Sequence, residues 1–288
     1  MRLNQDFVKA STLRILNHSE IDLTVVGLGG TGSWLSASVV RIALTLNSLG
    51  KKTNVTFVDP DIVENPNVLR QNFCVREIEL NKAKTLALRY SLAWGMEITA
   101  IAAPFSSKML NIRMGTLFVV IGCVDNAAAR QELSQTLQHN DNEWSPTAPP
   151  KVWYLDCGNS FASGQVLLGS HLSTDPKFYN FSEIGCTKLP SPTAQHPELL
   201  IPLLEELTDN NLSCEQLAML NAQNLDINQR VASEATTYLL GLTTGNLKRF
   251  ATYFDTAAGS CRSLYLTEAA VQRAIAARNS EAIPTLCG

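Results

Sequence analysis

The sequence is poor in the features that mark several protein classes. Its seven cysteines form no C-x-x-C pair, so no zinc ribbon is indicated. Basic charge is in short supply: 23 Lys and Arg stand against 26 Asp and Glu, a formal net charge of −3. The chain therefore carries no overall footprint for nucleic acid, although a local basic patch stays open. Long hydrophobic runs are missing too. The most apolar stretch, residues 116–124 (TLFVVIGCV), is too short to span a bilayer. The first twenty residues hold no apolar core followed by a cleavage site, so no signal peptide is read there. A cytoplasmic protein with no membrane contact is the expectation. An odd cysteine count in that setting points to reduced thiols, most of them buried in the core.

What is present fits a globular protein. Hydrophobic residues make up 45% and charged residues 17% of 288, which argues against global disorder. That length suits one large α/β domain or two small ones. Residues 23–26 (LTVV) form an apolar run ending in glycines, and read as a buried strand. Residues 33–49 follow with the periodicity of a helix, Trp34, Leu35, Val39, Ile42, Leu46 and Leu49 falling on one face. Strand signals recur at 55–58, 98–102 and 116–121, alternating with helical patterns at 81–94, 108–113 and 127–138. This βαβ alternation predicts a doubly wound, Rossmann-like and mostly parallel sheet with helices on both faces.

After a turn-rich segment at 140–150 the pattern changes. Residues 152–156 and 165–170 read as strands, 215–221 and 227–240 as helices, and 250–254 with 263–266 as a hairpin in a C-terminal mixed sheet. Between 171 and 211 lies an irregular, proline-punctuated crossover loop, long enough to suggest a function.

The chemistry-bearing residues cluster at strand ends. Gly27-Leu28-Gly29-Gly30-Thr31-Gly32 joins the first strand to the first helix. Glycines there let backbone N–H groups approach a phosphate, and the helix N-terminus favours the anion by about 0.3–1 kcal/mol. By itself the loop suits NAD, FAD or ATP, or a mere tight turn. Asp59 ends the second strand, where a carboxylate can accept ribose hydroxyls. The run that follows carries Asp61, Glu64, Asn67, Arg70 and Gln71 into the same crevice, Arg70 offering a planar fork of donors for phosphate. Lys82 opens the next helix; it is either another phosphate ligand or a surface lysine, with Lys84 as substitute if the helix is phased differently. Asp125 and Asn126 follow the fourth strand, where Asp125 serves as a ligand, a helix cap or both.

Taken in order, G-x-G-G-x-G, D-x-D-x-V-E-x-x-N-x-x-R-Q, x-N-K-A and V-D-N resemble the adenylating domain of ThiF, MoeB, HesA and the ubiquitin-activating enzymes. The likeness is detailed over residues 23–140 and looser to about 240. The segment Gly185-Cys186-Thr187-Lys188-Leu189-Pro190, with His196-Pro197-Glu198-Leu199, is similar more narrowly to ThiF-type proteins of PRTRC gene cassettes. The resemblance implies a single domain over 1–288, with a nucleotide-binding half at 20–140 and a partner-binding half at 150–288. It implies ATP-dependent adenylation of the C-terminal glycine of a small ubiquitin-like β-grasp protein. Gly27, Gly29, Gly30, Gly32, Asp59, Asp61, Asn67, Arg70, Gln71, Lys82, Asp125 and Asn126 would then touch the nucleotide, Asp125 also holding Mg²⁺.

A thioester step is implied for members that transfer their cargo. Cys214, at the start of a helix pattern, and Cys186, in the proline-flanked segment, are the rivals, each as readily a bland thiol. Cys123 and Cys157 fall in strand patterns and read as core. A homodimer, a conjugating-enzyme-like acceptor and a JAB-type protease belong to the same expectation. Two departures stand out: the upstream segment that supplies an arginine in trans is missing, with Arg14 a weak substitute, and no structural zinc is expected. An NAD- or FAD-dependent oxidoreductase and a non-catalytic scaffold remain the competing readings.

Overall fold

A computed structural model describes residues 5–15, 17–141, 149–160, 162–179, 181–182, 185–202 and 225–276. Its centre is an eight-stranded sheet in the order β10-β9-β6-β5-β4-β1-β2-β3. Five strands run parallel: β1 (Glu20–Val26), β2 (Lys52–Val58), β3 (Thr99–Ile101), β4 (Thr116–Gly122) and β5 (Val152–Asn159). Three antiparallel strands extend the sheet beyond β5: β6 (Ser163–Gly169), β9 (Arg249–Asp255) and β10 (Ser260–Tyr265). A separate two-stranded ribbon pairs β7 (Phe181–Ser182) with β8 (Gly185–Cys186). The Rossmann-like, mostly parallel sheet expected from the βαβ alternation is present, with the hairpin at its far end.

The helices are α1 (Gln5–Lys9), α2 (Gly30–Ser48), α3 (Lys82–Trp94), α4 (Ala127–Gln135), α5 (Pro192–Gln195), α6 (Leu225–Thr243) and α7 (Glu268–Ala276). β4 is buried along its whole length, and alternate side chains feed opposite faces. Leu117, Val119 and Ile121 join the core under α2, α3 and α6, while Phe118 and Val120 join a smaller core with Leu133 and Leu137. A strand covered on both faces has no polar side to show, which is why its sequence is a continuous apolar run. α6 packs along α2 and over β5 and β6, so the C-terminal half closes directly onto α2.

Several local expectations are corrected. Residues 108–113 do not form a helix; a single 3₁₀ turn, Ser107–Met109, stands there instead. α2 begins at Gly30, three residues earlier than its hydrophobic pattern, because the glycines themselves make its first turn. α6 extends past the 227–240 pattern at both ends, and α7 adds a helix the periodicity did not announce. The helix pattern at 215–221 lies outside the described residues, as do Cys214 and Cys287. Among the described residues, no helix is long and apolar enough to cross a membrane.

Candidate active site

β1 and β4 are neighbours whose connections leave the sheet in opposite directions, and open α/β sheets bind ligands at the carboxyl ends of such a pair. The glycine loop lies there. Gly27 has φ of 83°, a conformation only glycine adopts without strain, and a β-carbon on it would stand 2.6 Å from the carbonyl oxygen of Cys123. A β-carbon on Gly32 would stand 1.9 Å from the carbonyl oxygen of Gly27. The loop folds so tightly on itself that any side chain at either position would break it. Gly29 is the N-cap of α2 and supplies no side chain to the orphan N–H groups of the first turn.

Asp59 anchors the loop from β2. Its carboxylate accepts the backbone N–H of Leu28 on one oxygen and that of Asp61, at 2.8 Å, on the other. Only 3% of the residue is exposed, and burial raises its pKa against the pull of those two donors. Lys82, at the first turn of α3, is 7% exposed and pairs through Nζ with Asp61 Oδ2 at 3.2 Å, while the Asp61 side chain stays 65% exposed. The buried cation thus has a solvent-facing partner. Lys84 points outward, with its backbone N–H capped by Asn81 Oδ1, so the phasing of α3 selects Lys82.

The segment after Asp61 is tied to α2. Trp34 Nε1 donates to the carbonyl of Arg70 at 3.3 Å, and the backbone N–H of Asn72 donates to Ser33 Oγ at 3.0 Å. Arg89 of α3 holds the same segment by donating to the carbonyl of Asn72 at 2.8 Å and pairing with Glu77. Gln71 is 8% exposed and lies over Gly29, its Nε2 3.7 Å from where a β-carbon would stand. Its Oε1 is buried and accepts no hydrogen bond from the described residues. Asn67 turns inward: Oδ1 accepts the N–H of Glu64 at 2.9 Å and caps the 3₁₀ helix Asn65–Leu69. It shapes this loop as well as bordering the crevice.

Beyond β4, Val124 packs on Gly27, which brings Asp125 alongside the loop. The two residues divide the labour that the sequence left open at Asp125. Asn126 is the helix cap, its Oδ1 accepting the N–H of Ala129 at 2.8 Å, while Asp125 stays exposed beside it. Behind them, Arg130 donates to the carbonyl of Val124 at 2.9 Å and pairs with Asp156 at 3.3 Å. Asp156 also accepts the Tyr154 hydroxyl at 2.6 Å and is 1% exposed.

Cys186 lies in the proline-flanked segment, but that segment is held in place around it. Far from lying in an exposed loop, it sits in β8, bridges to Leu13, is fully buried and donates its thiol to the carbonyl of Lys188. Burial pushes its pKa up to about 11, which leaves almost no thiolate at neutral pH. Arg14 packs against Gly185 in the same corner. Cys157 is core, as read; Cys123 is only half-buried.

Asn228 is a site residue that no sequence signal marks. It projects from α6 onto the glycine loop, fully buried, with Oδ1 accepting Thr31 Oγ1 at 3.3 Å and Asn159 Nδ2 at 2.8 Å. A lone asparagine in an amphipathic helix carries no motif, and only the packing of α6 on α2 reveals it.

A model of the family described as "ThiF family" matches residues 3–153, more than half of the chain. The chain belongs to the ThiF family. Its fold is shared with solved structures at low identity. MccB of E. coli with ATP superposes at a TM-score of 0.51 with 13% identity, over 91% of this chain and 65% of that one. MccB with AMPCPP and MccA gives a TM-score of 0.52 and 14% identity over the same shares, 91% and 65%. PaaA gives 0.51 and 13%, over 85% of this chain and 64% of that one. This ThiF-family chain therefore matches just under two thirds of the length of those neighbours. No curated protein sequence matches it.

Proposed function

We propose that this ThiF-family protein binds ATP with magnesium and adenylates the C-terminal carboxylate of a small protein or peptide, a ubiquitin-like β-grasp protein ending in glycine. One observation carries the reading: a buried lysine and a buried aspartate, Lys82 and Asp59, flank a glycine loop at the N-terminus of a 19-residue helix. A dinucleotide site needs the loop and the acid but has no use for the Lys82–Asp61 pair. A triphosphate does, because arriving phosphate oxygens can replace the exposed Asp61 carboxylate on Nζ.

In this scheme Asp59 and the loop amides of Gly29, Gly30 and Gly32 hold ribose and phosphates, with Asn67, Gln71 and Asn126 at the margin. Arg70 and Lys82 stabilise negative charge on the α-phosphate as the carboxylate attacks and pyrophosphate leaves. The exposed carboxylate of Asp125 suits a hard, oxygen-liganded cation, and Asp61, once released from Lys82, is a second oxygen donor. Mg²⁺ held there would neutralise phosphate oxygens. The neighbours add support: MccB has been crystallised with ATP and with MccA. The assembly in this reading is a homodimer within a PRTRC-type system, with the half at 150–288 receiving the partner. Of the two thiols that the resemblance brings forward, Cys186 is buried with a raised pKa, which favours Cys214 for any thioester step.

ATP–pyrophosphate exchange tests the reading directly. With a β-grasp protein ending in glycine, exchange should be magnesium-dependent, and Arg70→Ala or Lys82→Ala should lower it by roughly 100-fold or more. Nicotinamide dinucleotide should not bind. Binding of NAD without exchange would overturn the proposal in favour of an oxidoreductase, and partner binding without exchange in favour of a scaffold.

A further inference from the structure

Two thiols outside the proposed chemistry stand side by side at the carboxyl ends of β4 and β5. The strands are parallel and in register to Gly122 opposite Asp156, so Cys123 and Cys157 are the next residue on each. Their side chains lie on the same face of the sheet, against the core under α2, and the neighbouring Cys123 side chain together with burial raises the pKa of Cys157. Paired Cα atoms on neighbouring strands stand about 4.8 Å apart, inside the span a disulfide bridges. Cys157 is 2% exposed, whereas Cys123 is half-buried.

Cys123 is also part of the floor under the glycine loop. Its β-carbon is 3.2 Å from where a β-carbon on Gly32 would stand, and its carbonyl oxygen is 2.6 Å from the matching point on Gly27. Its backbone N–H donates to the carbonyl of Val26 at 2.8 Å, holding the last residue of β1 before the loop. Cys123 and the loop are therefore in direct contact.

We propose that Cys123 and Cys157 form a reversible disulfide under peroxide, and that this modification closes the glycine loop to its ligand. The Cys123 thiolate attacks one peroxide oxygen and the O–O bond breaks, giving a sulfenic acid and, after protonation, water. The Cys157 thiol then attacks the sulfenic sulfur, the S–O bond breaks and a second water leaves. The two sulfurs lose two electrons to the peroxide. Closing the bond draws the sulfurs to about 2.05 Å and re-aims the Cys123 side chain, whose residue lies directly under Gly27 and Gly32. By reciprocity, a ligand seated in the loop slows formation of the bond.

The test uses the whole chain treated with hydrogen peroxide, with peptides mapped under non-reducing conditions and amide hydrogen exchange followed over residues 27–32. A Cys123–Cys157 cross-link should appear before Cys74 or Cys261, both exposed, enters any disulfide. Loop exchange should quicken, ATP binding should weaken about tenfold or more, and dithiothreitol should reverse both. Cys157→Ser should retain ATP binding at the same dose. Should that variant fail to fold, phenylarsine oxide, which bridges two adjacent thiols, should reproduce the loss in wild type and a dithiol should reverse it.

The proposal is overturned if the pair stays unlinked at a dose that oxidises Cys74. It is equally overturned if the link forms while loop exchange is unchanged, if Cys157→Ser loses binding as wild type does, or if the arsenical leaves the loop unaltered. Loop exchange does not depend on the ligand, so a chain that never binds ATP would sink the adenylation reading and still decide this one.

Discussion

The side-chain amide of Asn228 lies over Gly30, its Oδ1 2.5 Å from where a β-carbon on that glycine would stand. The loop is therefore confined from above by a helix of the C-terminal half as well as from below by β4. Gly30→Ala should cost about 1–3 kcal/mol through overpacking and weaken ATP binding with it. Asn228→Ala should cost a similar amount, since it strands Asn159 and Thr31. The double variant should be less damaged than the sum by about 0.5–3 kcal/mol, because the second change removes the clash made by the first. Thermal unfolding of the four proteins in the cycle measures that coupling, and strict additivity would refute it.

Asp59 should give stability and ligand binding opposite pH dependences. Its folded pKa is raised by burial, so its contribution to stability is greatest below the unfolded carboxylate pKa and declines as pH rises through the folded value. Ribose recognition needs the ionised acceptor, so ATP affinity should fall as pH drops through that same raised value. Asp59→Asn should flatten both profiles. Isothermal titration and chemical denaturation across the acid range would reveal parallel profiles if the assignment is mistaken.

Asp125 and Asn126 should separate cleanly. Asn126→Ala removes a helix cap and should cost about 1 kcal/mol of stability. Asp125→Ala removes only an exposed 3.3 Å hydrogen bond from Asn126 Nδ2, leaves the cap bond to Ala129 in place, and should keep stability within about 0.5 kcal/mol of wild type. Pyrophosphate exchange should fall roughly 100-fold in the Asp125 variant if that carboxylate works on the metal-bound phosphates. Unfolding curves measured beside exchange rates distinguish the two roles.

Arg130→Met should be among the most damaging single changes near the site. It leaves the carboxylate of Asp156, 1% exposed, without its cation, which typically costs about 3–5 kcal/mol. Replacing Asp156 with leucine and Tyr154 with phenylalanine in the same chain should recover much of that loss, because the buried carboxylate and the hydroxyl it accepts are removed together. Denaturant midpoints for the single and triple variants provide the check.

Much of the parallel half was legible because its signals are local. The run at β4, the glycines after β1 and the acids after β2 each declare themselves within a few residues. The phasing of α3 was harder, since Lys82 and Lys84 look alike until burial separates them. Cys186 misled because its flanking prolines suggest an open loop, whereas backbone pairing with Thr12 and Arg14 closes it. Asn228 could not be found at all: its partner Thr31 lies 197 residues away, and nothing in either neighbourhood encodes that contact.

That separation has a temporal meaning. Ribosomes add about 5–20 residues per second, so roughly 10–40 s pass between synthesis of Thr31 and synthesis of Asn228, 197 positions later. For that interval the nascent glycine turn exists without its lid, and the loop can take its final shape only after most of the chain has been made.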